Sequence, residues 1–256
     1  MKFGYCLDLK FLDGDALSQS IFDEVCESGY DYLELPLSGI AALSWGDFTR
    51  LREELSARKL YCLACYLFFP PGMIIAGAGQ DMGKVISYIE EALFRAGQLG
   101  VETVVFGSGG ARRDATWAEL RDVLGIMDGE SAINGLTVVV EPLNRQETNV
   151  INSYTEAVKH VEDWEYLGAM CDWYHVHMDG QGLDDLFEYP DKLGHLHIAY
   201  GKERLLPSPN DDMAHYSDFV NAVKNLGYNN KLSVEGNLKS VDEIRPCLET
   251  LKKLFK

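Results

Sequence analysis

A unit of helix, glycine and strand recurs along this chain. Ser28-Gly29-Tyr30-Asp31-Tyr32-Leu33-Glu34-Leu35 closes a helix on glycine and enters a strand that reaches an acid. Leu99-Gly100-Val101-Glu102-Thr103-Val104-Val105-Phe106-Gly107 repeats the pattern, as does Asn134-Gly135-Leu136-Thr137-Val138-Val139-Val140-Glu141. Leu226-Gly227-Tyr228 leads likewise to Leu232-Ser233-Val234-Glu235. Glycine suits the left-handed residue that closes a helix, so each copy reads helix, glycine, strand, loop. This is a βα period and not a solenoid repeat. The helix starts carry their own signal. Ser44-Trp45-Gly46-Asp47, Thr116-Trp117-Ala118-Glu119, Ser153-Tyr154-Thr155-Glu156 and Ser240-Val241-Asp242-Glu243 all have capping-box form. Apolar faces at helical spacing follow, through Met82, Val85, Ile86, Ile89, Leu93 and Ala96, and through Ile244, Cys247, Leu248, Leu251 and Phe255.

Eight strands are expected: Lys2–Leu9, Tyr30–Leu35, Leu60–Phe68, Thr103–Phe106, Thr137–Glu141, Gly168–Asp172, His195–Ala199 and Leu232–Glu235. A helical pattern follows each, although the one after strand six, Leu183 to Lys192, is short. Eight βα units without a composition break predict a single α/β domain over residues 1–256, a (β/α)8 TIM barrel. The alternative, a doubly wound open sheet, lacks a Gly-x-Gly-x-x-Gly after strand one.

Charge narrows the partners. There are 23 basic and 40 acidic side chains, a net charge of −17. Such a surface repels phosphate backbones and anionic membranes, so neither nucleic acid nor membrane is expected as a partner. The opening Met1-Lys2-Phe3-Gly4-Tyr5 enters a strand pattern directly, with no secretory leader expected. The longest apolar stretch, Leu60 to Gly79, is broken by Pro70-Pro71 and Gly72 and does not read as a membrane span. Six cysteines without framework spacing point to reduced thiols and a cytoplasmic location. Cys62 and Cys65 lie in an apolar strand with no second pair, and read as core.

The densest chemistry lies between Thr137 and Glu147. Pro142 cannot donate to a ladder, so the strand stops at Glu141 and a loop carrying Asn144, Arg145 and Glu147 begins. In a TIM barrel the chemistry sits at the C-terminal strand ends. The later strands therefore offer Glu141, Asp172, His197 and Glu235, one from each of four consecutive units. Three carboxylates and one imidazole form a hard donor set suited to a divalent ion, Mn2+, Mg2+ or Co2+, rather than to structural Zn2+. Without a cation the three negative charges would repel and their pKa values would rise. Any one of the four alone reads as a helix cap or a core histidine; together at successive strand ends they read as metal ligands.

Other candidates surround them. His175 is placed to reach a ligand hydroxyl, His177 reads as a loop histidine, and His195 points to the face of His197 but deeper. Glu147 and Arg204 can bind substrate oxygens, with a solvated role equally open for Arg204. Trp45, Trp117 and Trp173 read as core or helix-face residues. Gly107-Ser108-Gly109-Gly110 with Arg112 and Arg113 reads as a plain βα turn in preference to an anion cradle.

Glu141-Pro142-Leu143-Asn144-Arg145-x-Glu147-Thr148, Asp172-x-x-His175, Gly194-His195-x-His197 and Ser233-Val234-Glu235 together resemble the xylose isomerase-like TIM barrel superfamily of sugar isomerases and epimerases. The Glu-Pro-Leu-Asn-Arg segment is most similar to the ketose 3-epimerases, the tagatose/psicose 3-epimerase group. The resemblance implies one divalent ion, Mn2+ first, held by Glu141, Asp172, His197 and Glu235. It also implies acid and base roles for the two glutamates, substrate oxygens on His175 and Glu147, and pairing of copies into a homo-oligomer. One loop departs from the pattern. Glu203 stands where an arginine is expected, Arg204 follows, and Leu205-Leu206-Pro207-Ser208-Pro209 replaces a glycine-containing segment.

The physical logic agrees with the label. A proton next to a carbonyl is too weakly acidic to leave at neutral pH unless the enediolate is stabilised, which a metal does as a Lewis acid. Glu141 and Glu235 then take and return the proton on opposite faces. The expected activity is a metal-dependent epimerase or isomerase acting on a small keto-sugar. The rival uses the same enolate for elimination, giving a dehydratase or lyase on a keto-sugar, keto-cyclitol or keto-glycoside. A non-catalytic sugar-binding barrel would not need both glutamates. The DNA-repair endonucleases of this superfamily would need more than six histidines and a basic face.

Overall fold

The expected strands form, and each pairs in parallel with the next until the last returns to the first. In this computed structural model, which describes residues 1–256, the strands are β1 (Lys2–Cys6), β2 (Tyr32–Pro36), β3 (Cys62–Tyr66), β4 (Thr103–Phe106), β5 (Thr137–Val140), β6 (Leu167–Asp172), β7 (Leu193–Ile198) and β8 (Lys231–Val234). They close the (β/α)8 barrel in the order β1 to β8. Closure pairs every strand on both sides and leaves no edge. The connecting helices are α1 (Ala16–Ser28), α2 (Leu37–Ala42), α3 (Trp45–Arg58), α4 (Met82–Leu99), α5 (Trp117–Asn134), α6 (Tyr154–Val161), α7 (Trp173–Asp179), α8 (Asp185–Glu188), α9 (Ser217–Asn225) and α10 (Ile244–Leu254). None is long and apolar enough to cross a membrane.

Local signals act mostly as expected. Ser44, Thr116 and Ser153 cap α3, α5 and α6, and Thr116 forms a complete capping box with Glu119. Gly29, Gly100 and Gly135 close α1, α4 and α5 in the left-handed region. Two expectations are corrected. Ser240 makes no capping bond, because a 3-10 turn over Val241–Glu243 intervenes before α10. The helix after strand six is not one short segment at 183–192. Asp172 itself starts α7, accepting from the Tyr174 N–H at 2.9 Å, and α8 follows as a separate single turn. Strands one and three are also shorter than expected. A 3-10 turn over Lys10–Asp13 follows β1, and Leu67 takes a φ of 50° just past β3.

Alternation along the strands sorts side chains into two cores. Val104, Phe106, Val138, Val140, Cys171, Leu196, Ile198, Leu232 and Val234 face outward, into a cluster of 63 buried residues between sheet and helices. Cys62 and Cys65 belong to the same layer. The opposite parity fills the barrel interior. Val105, Val139 and Met170 form a small separate cluster there, with Tyr66 packed on it. Tyr32 crosses the interior over Gly4, where any Cβ would collide with its ring, and its hydroxyl lies 2.7 Å from Ser233 Oγ. A glycine at position 4 is thus the condition for the tyrosine's place.

Candidate metal centre and active site

Inward parity decides which residues reach the site. Val139, Met170 and Ser233 point inward. Two residues beyond each, at the mouth of the barrel, come Glu141, Asp172 and Glu235. His197 lies on β7 at the same parity as His195, the two rings 5.0 Å apart. Donor atoms of Glu141, Asp172, His197 and Glu235 all lie within 4.8 Å of one another, and this group can hold a metal ion. A cation about 2.0–2.6 Å from each oxygen leaves opposite donors about 4–5 Å apart, which fits that spacing. Two of the donors make no well-directed hydrogen bond: Glu141 Oε1 and His197 Nδ1 are both buried, and Nδ1 has only an ion-pair contact of 2.9 Å with Glu235 Oε2. Glu141 Oε1 and His197 Nδ1 stand 3.7 Å apart. An unpaired buried acceptor is costly, and a shared cation would satisfy both. Three carboxylates and one imidazole are chemically the set expected for a hard divalent ion.

Protonation follows these surroundings. Burial pushes the Glu141 carboxyl up, only partly countered by His197 and His175. Burial would also raise Glu235, but the Arg204 guanidinium, with His197, holds it down to about 2. Burial opposes a charge on His197, yet the surrounding Glu34, Glu141 and Glu235 carboxylates raise it well above the ordinary imidazole value. His195 is lowered, chiefly by burial.

Arg204 is not a solvated side chain. Its Nη2 lies 2.8 Å from Asp172 Oδ2 and 2.6 Å from Glu235 Oε2, its Nε donates to the Glu235 carbonyl at 3.1 Å, and the guanidinium lies over Tyr174. A tight turn delivers it. Tyr200 and Leu205 exchange backbone hydrogen bonds of 2.8 and 2.9 Å, and Arg204 itself takes a φ of 51°. This turn lies in the loop where the sequence departs from the pattern it resembles, and it still brings an arginine to Asp172 and Glu235.

His175 and Glu147 stand beside the cluster. The Asn144 backbone N–H, at 3.3 Å, points at His175 Nδ1, and Asn144 Nδ2 lies 2.9 Å from the same atom. Nδ1 therefore accepts, and the proton sits on Nε2, 3.6 Å from Glu141 Oε1 and 3.5 Å from Asp172 Oδ2. Glu147 Oε1 accepts from Asn144 Nδ2 at 3.0 Å. A cavity of about 320 Å3 opens over these groups, with Tyr66, Leu67 and Phe69 on its apolar side and Glu141, Glu147, His175, Arg204 and Glu235 on its polar side. His177 lies apart, against Trp173 and His215. Trp45 and Trp117 are half exposed, whereas Trp173 is buried against Phe219.

The glycine loop after β4 turns out to support Glu141. Gly107 takes the inward position after Val105, and a Cβ there would collide with Glu141 Oε2. Arg112, fully buried, donates from Nη1 to the Phe106 carbonyl at 3.1 Å and from Nη2 to the Glu141 carbonyl at 2.6 Å. Burial lowers its pKa to about 10. Both Nη groups are spent on backbone carbonyls and only the buried Nε is left without a partner, so the loop reads as a support for Glu141 and not as an anion cradle. One residue escaped the sequence reading. Glu34, on β2 and wholly buried, accepts from His195 Nε2 at 2.8 Å and from His197 Nε2 at 3.0 Å. The available signal was parity, since Tyr32 and Glu34 share the inward face of a strand whose other residues are apolar.

Comparison with known proteins agrees with the barrel fold. A model described as "Xylose isomerase-like TIM barrel" matches residues 22–254. The chain is 27% identical over 216 residues to an L-ribulose 3-epimerase of Methylomonas sp. (strain DH-1), a match covering 81% of this chain and 74% of that protein. It is 32% identical over 81 residues to a 3-dehydro-D-guloside 4-epimerase of Escherichia coli (strain K12), covering 30% of this chain and 31% of that one. That second match thus spans less than a third of the relative's length. Among solved structures, a D-psicose 3-epimerase crystallised in the presence of D-fructose superposes with a TM-score of 0.81 at 16% identity, covering 100% of this chain and 99% of that one. At that identity the likeness speaks to the fold alone.

Proposed function

Because this chain belongs to the xylose isomerase-like TIM barrel family, matched over residues 22–254, we propose that it is a sugar epimerase or isomerase that moves a proton at the carbon next to a carbonyl. The observation that carries the reading is the convergence of Glu141, Asp172, His197 and Glu235 within 4.8 Å at the mouth of the barrel. These four would hold one divalent cation, Mn2+ in the first place, and the cation when bound supplies Lewis-acid stabilisation of negative charge developing on substrate oxygens. Glu141 and Glu235 follow β5 and β8, three strands apart around the rim, and so flank a sugar lying between them. One takes the proton and the other delivers one from the opposite face, inverting the centre. His175 Nε2–H and Glu147 hold substrate oxygens, and Arg204 keeps Nη1 for another while Nη2 is engaged by Asp172 and Glu235. The apolar wall of Tyr66, Leu67 and Phe69 suits the C–H face of a sugar.

The reading predicts deuterium uptake from D2O at the carbon next to the carbonyl, followed by NMR on Mn2+-loaded protein with L-ribulose, D-fructose and a 3-keto-glucoside. Lack of uptake with every member would refute it for these substrates. Ketoses and 3-keto-glycosides differ in where the carbonyl sits, and the same proton transfer serves both. A second reading, elimination from the same enolate by a dehydratase or lyase, is favoured by Leu205-Leu206-Pro207-Ser208-Pro209, which replaces the glycine-containing segment beside the site. Appearance of an enone absorbance on a keto-glycoside or an inosose would decide for it. Reduced cysteines and a cytoplasmic site of action accord with both readings. Pairing into a homo-oligomer remains part of the proposal, to be checked by mass in solution.

A further inference from the structure

We propose that Glu34 is a positioning residue for the metal centre: it sets the tautomer of His197 so that the Nδ1 lone pair faces the carboxylates, and it does so only while His195 occupies its second oxygen. The inference rests on the metal-centre reading and adds two residues outside its four ligands, Glu34 and His195. Its basis is a three-residue contact across the barrel interior. β2 and β7 are not neighbours in the sheet, yet Glu34 Oε1 lies 3.0 Å from His197 Nε2 and Glu34 Oε2 lies 2.8 Å from His195 Nε2. All three side chains are wholly buried.

An ionised carboxylate only accepts hydrogen bonds, so each histidine turns an Nε2–H toward Glu34. In the metal-bound state, where a ligating imidazole is neutral, a proton held on Nε2 leaves the lone pair on Nδ1. In His197 that atom makes no well-directed hydrogen bond and stands 2.9 Å from Glu235 Oε2 and 3.7 Å from Glu141 Oε1. The lone pair is thereby aimed at the cluster that would bind the ion. A carboxylate behind a ligating imidazole fixes its orientation and raises its basicity. His195 Nδ1 is also unpartnered, but His195 belongs to no metal-ligand cluster. Its part is to satisfy the other oxygen of a carboxylate that could not stay buried and ionised on one donor. Ser233 Oγ, 2.7 Å from Tyr32 Oη and 3.4 Å from His195 Nε2, closes the arrangement from β8.

A glutamine at position 34 breaks the arrangement in a defined way. An amide offers one acceptor oxygen and one donor nitrogen, so it can satisfy only one of two Nε2–H groups. Either His195 or His197 must then change, and a shift of the His197 proton to Nδ1 blocks the ligand position. Loss of such a partner lowers metal affinity by about 10–100-fold.

The test is titration of metal-free protein with Mn2+, with free ion read by electron paramagnetic resonance, beside 15N-histidine NMR of the Zn2+-loaded protein. The expected result is a Glu34→Gln variant with wild-type circular dichroism and Mn2+ binding weakened about 10–100-fold. His195→Phe should weaken it in the same direction, and the wild-type spectrum should place the His197 proton on Nε2. A folded Glu34→Gln variant that binds Mn2+ within twofold of wild type overturns the inference. Should that variant fail to fold, the wild-type spectrum decides, and a proton on His197 Nδ1 overturns it. Wild-type protein that takes up no Mn2+ overturns the metal-centre reading itself, an outcome distinct from equal binding by the variant.

Discussion

Replacing Gly107 by alanine tests whether the position of the Glu141 carboxylate matters to the chemistry. The glycine sits just after β4 at inward parity, and an added Cβ would overlap Glu141 Oε2 while meeting Leu143 Cδ2 only at 3.9 Å. The carboxylate must therefore retreat by about 1 Å to regain ordinary contact. It has little room, because Glu141 is 5% exposed, its Oε1 already lies 3.6 Å from His175 Nε2, and Arg112 pins its backbone carbonyl. A misplacement of about 1 Å in a reacting group can cost on the order of 100-fold in rate. That corresponds to about 2.7 kcal/mol of transition-state stabilisation. Gly107 has no positive φ, so the backbone tolerates alanine and the stability cost should be limited to about 1–3 kcal/mol of overpacking. The expected outcome is a folded protein whose kcat/KM for deuterium exchange at the carbon next to the carbonyl falls about 100-fold, with weaker Mn2+ binding. A variant that folds, binds Mn2+ and exchanges within threefold of wild type would show that the carboxylate pose is irrelevant to the reaction.

Further outcomes follow from the same geometry. Saturating Mn2+ at about 100 times its dissociation constant should stabilise the protein by about 2.7 kcal/mol, seen as a rise in Tm that a Glu235→Gln or Asp172→Asn variant largely loses. An equal rise in those variants would place the ion elsewhere. Thr116→Ala removes the cap of α5 and should cost about 1 kcal/mol. Calorimetry should find a Tm lower by roughly 2–4 °C. Lys231 Nζ donates to Glu102 Oε2 at 2.7 Å, and this bond lowers the Glu102 pKa against a smaller opposing effect of burial. Its contribution is fully present above the unfolded glutamate value and is lost as pH falls through the lower folded value. Glu102→Gln should therefore flatten the loss of stability with acid in that window, measured by denaturant titration at several pH values; an unchanged slope would refute the link.

The order of eight strands and the identity of the four convergent donors were legible because both depend on local rules. Period-2 alternation assigns Glu141, Asp172, His197 and Glu235 to one face, Pro142 stops a strand at the right place, and glycine marks helix ends. Cap chemistry was legible for Ser44, Thr116 and Ser153 for the same reason. It misled at Ser240, where a 3-10 turn competes with the first helical turn, and after β6, where Asp172 serves at once as a strand end and as the cap of α7.

Tertiary structure alone decided the rest. Glu34 reads as one acid in a strand until closure of the barrel sets it against histidines 161 and 163 positions away. Arg204 looks displaced by one residue from its expected place, and only the turn between Tyr200 and Leu205 returns its guanidinium to Asp172 and Glu235. Gly107 and Arg112 sit in what reads as an ordinary loop, yet one leaves space for a carboxylate and the other holds its backbone. The division has a physical cause. Which face a side chain takes is set by its neighbours in the chain, whereas what it meets across a closed barrel depends on strand register and on the radius at which the eighth strand rejoins the first.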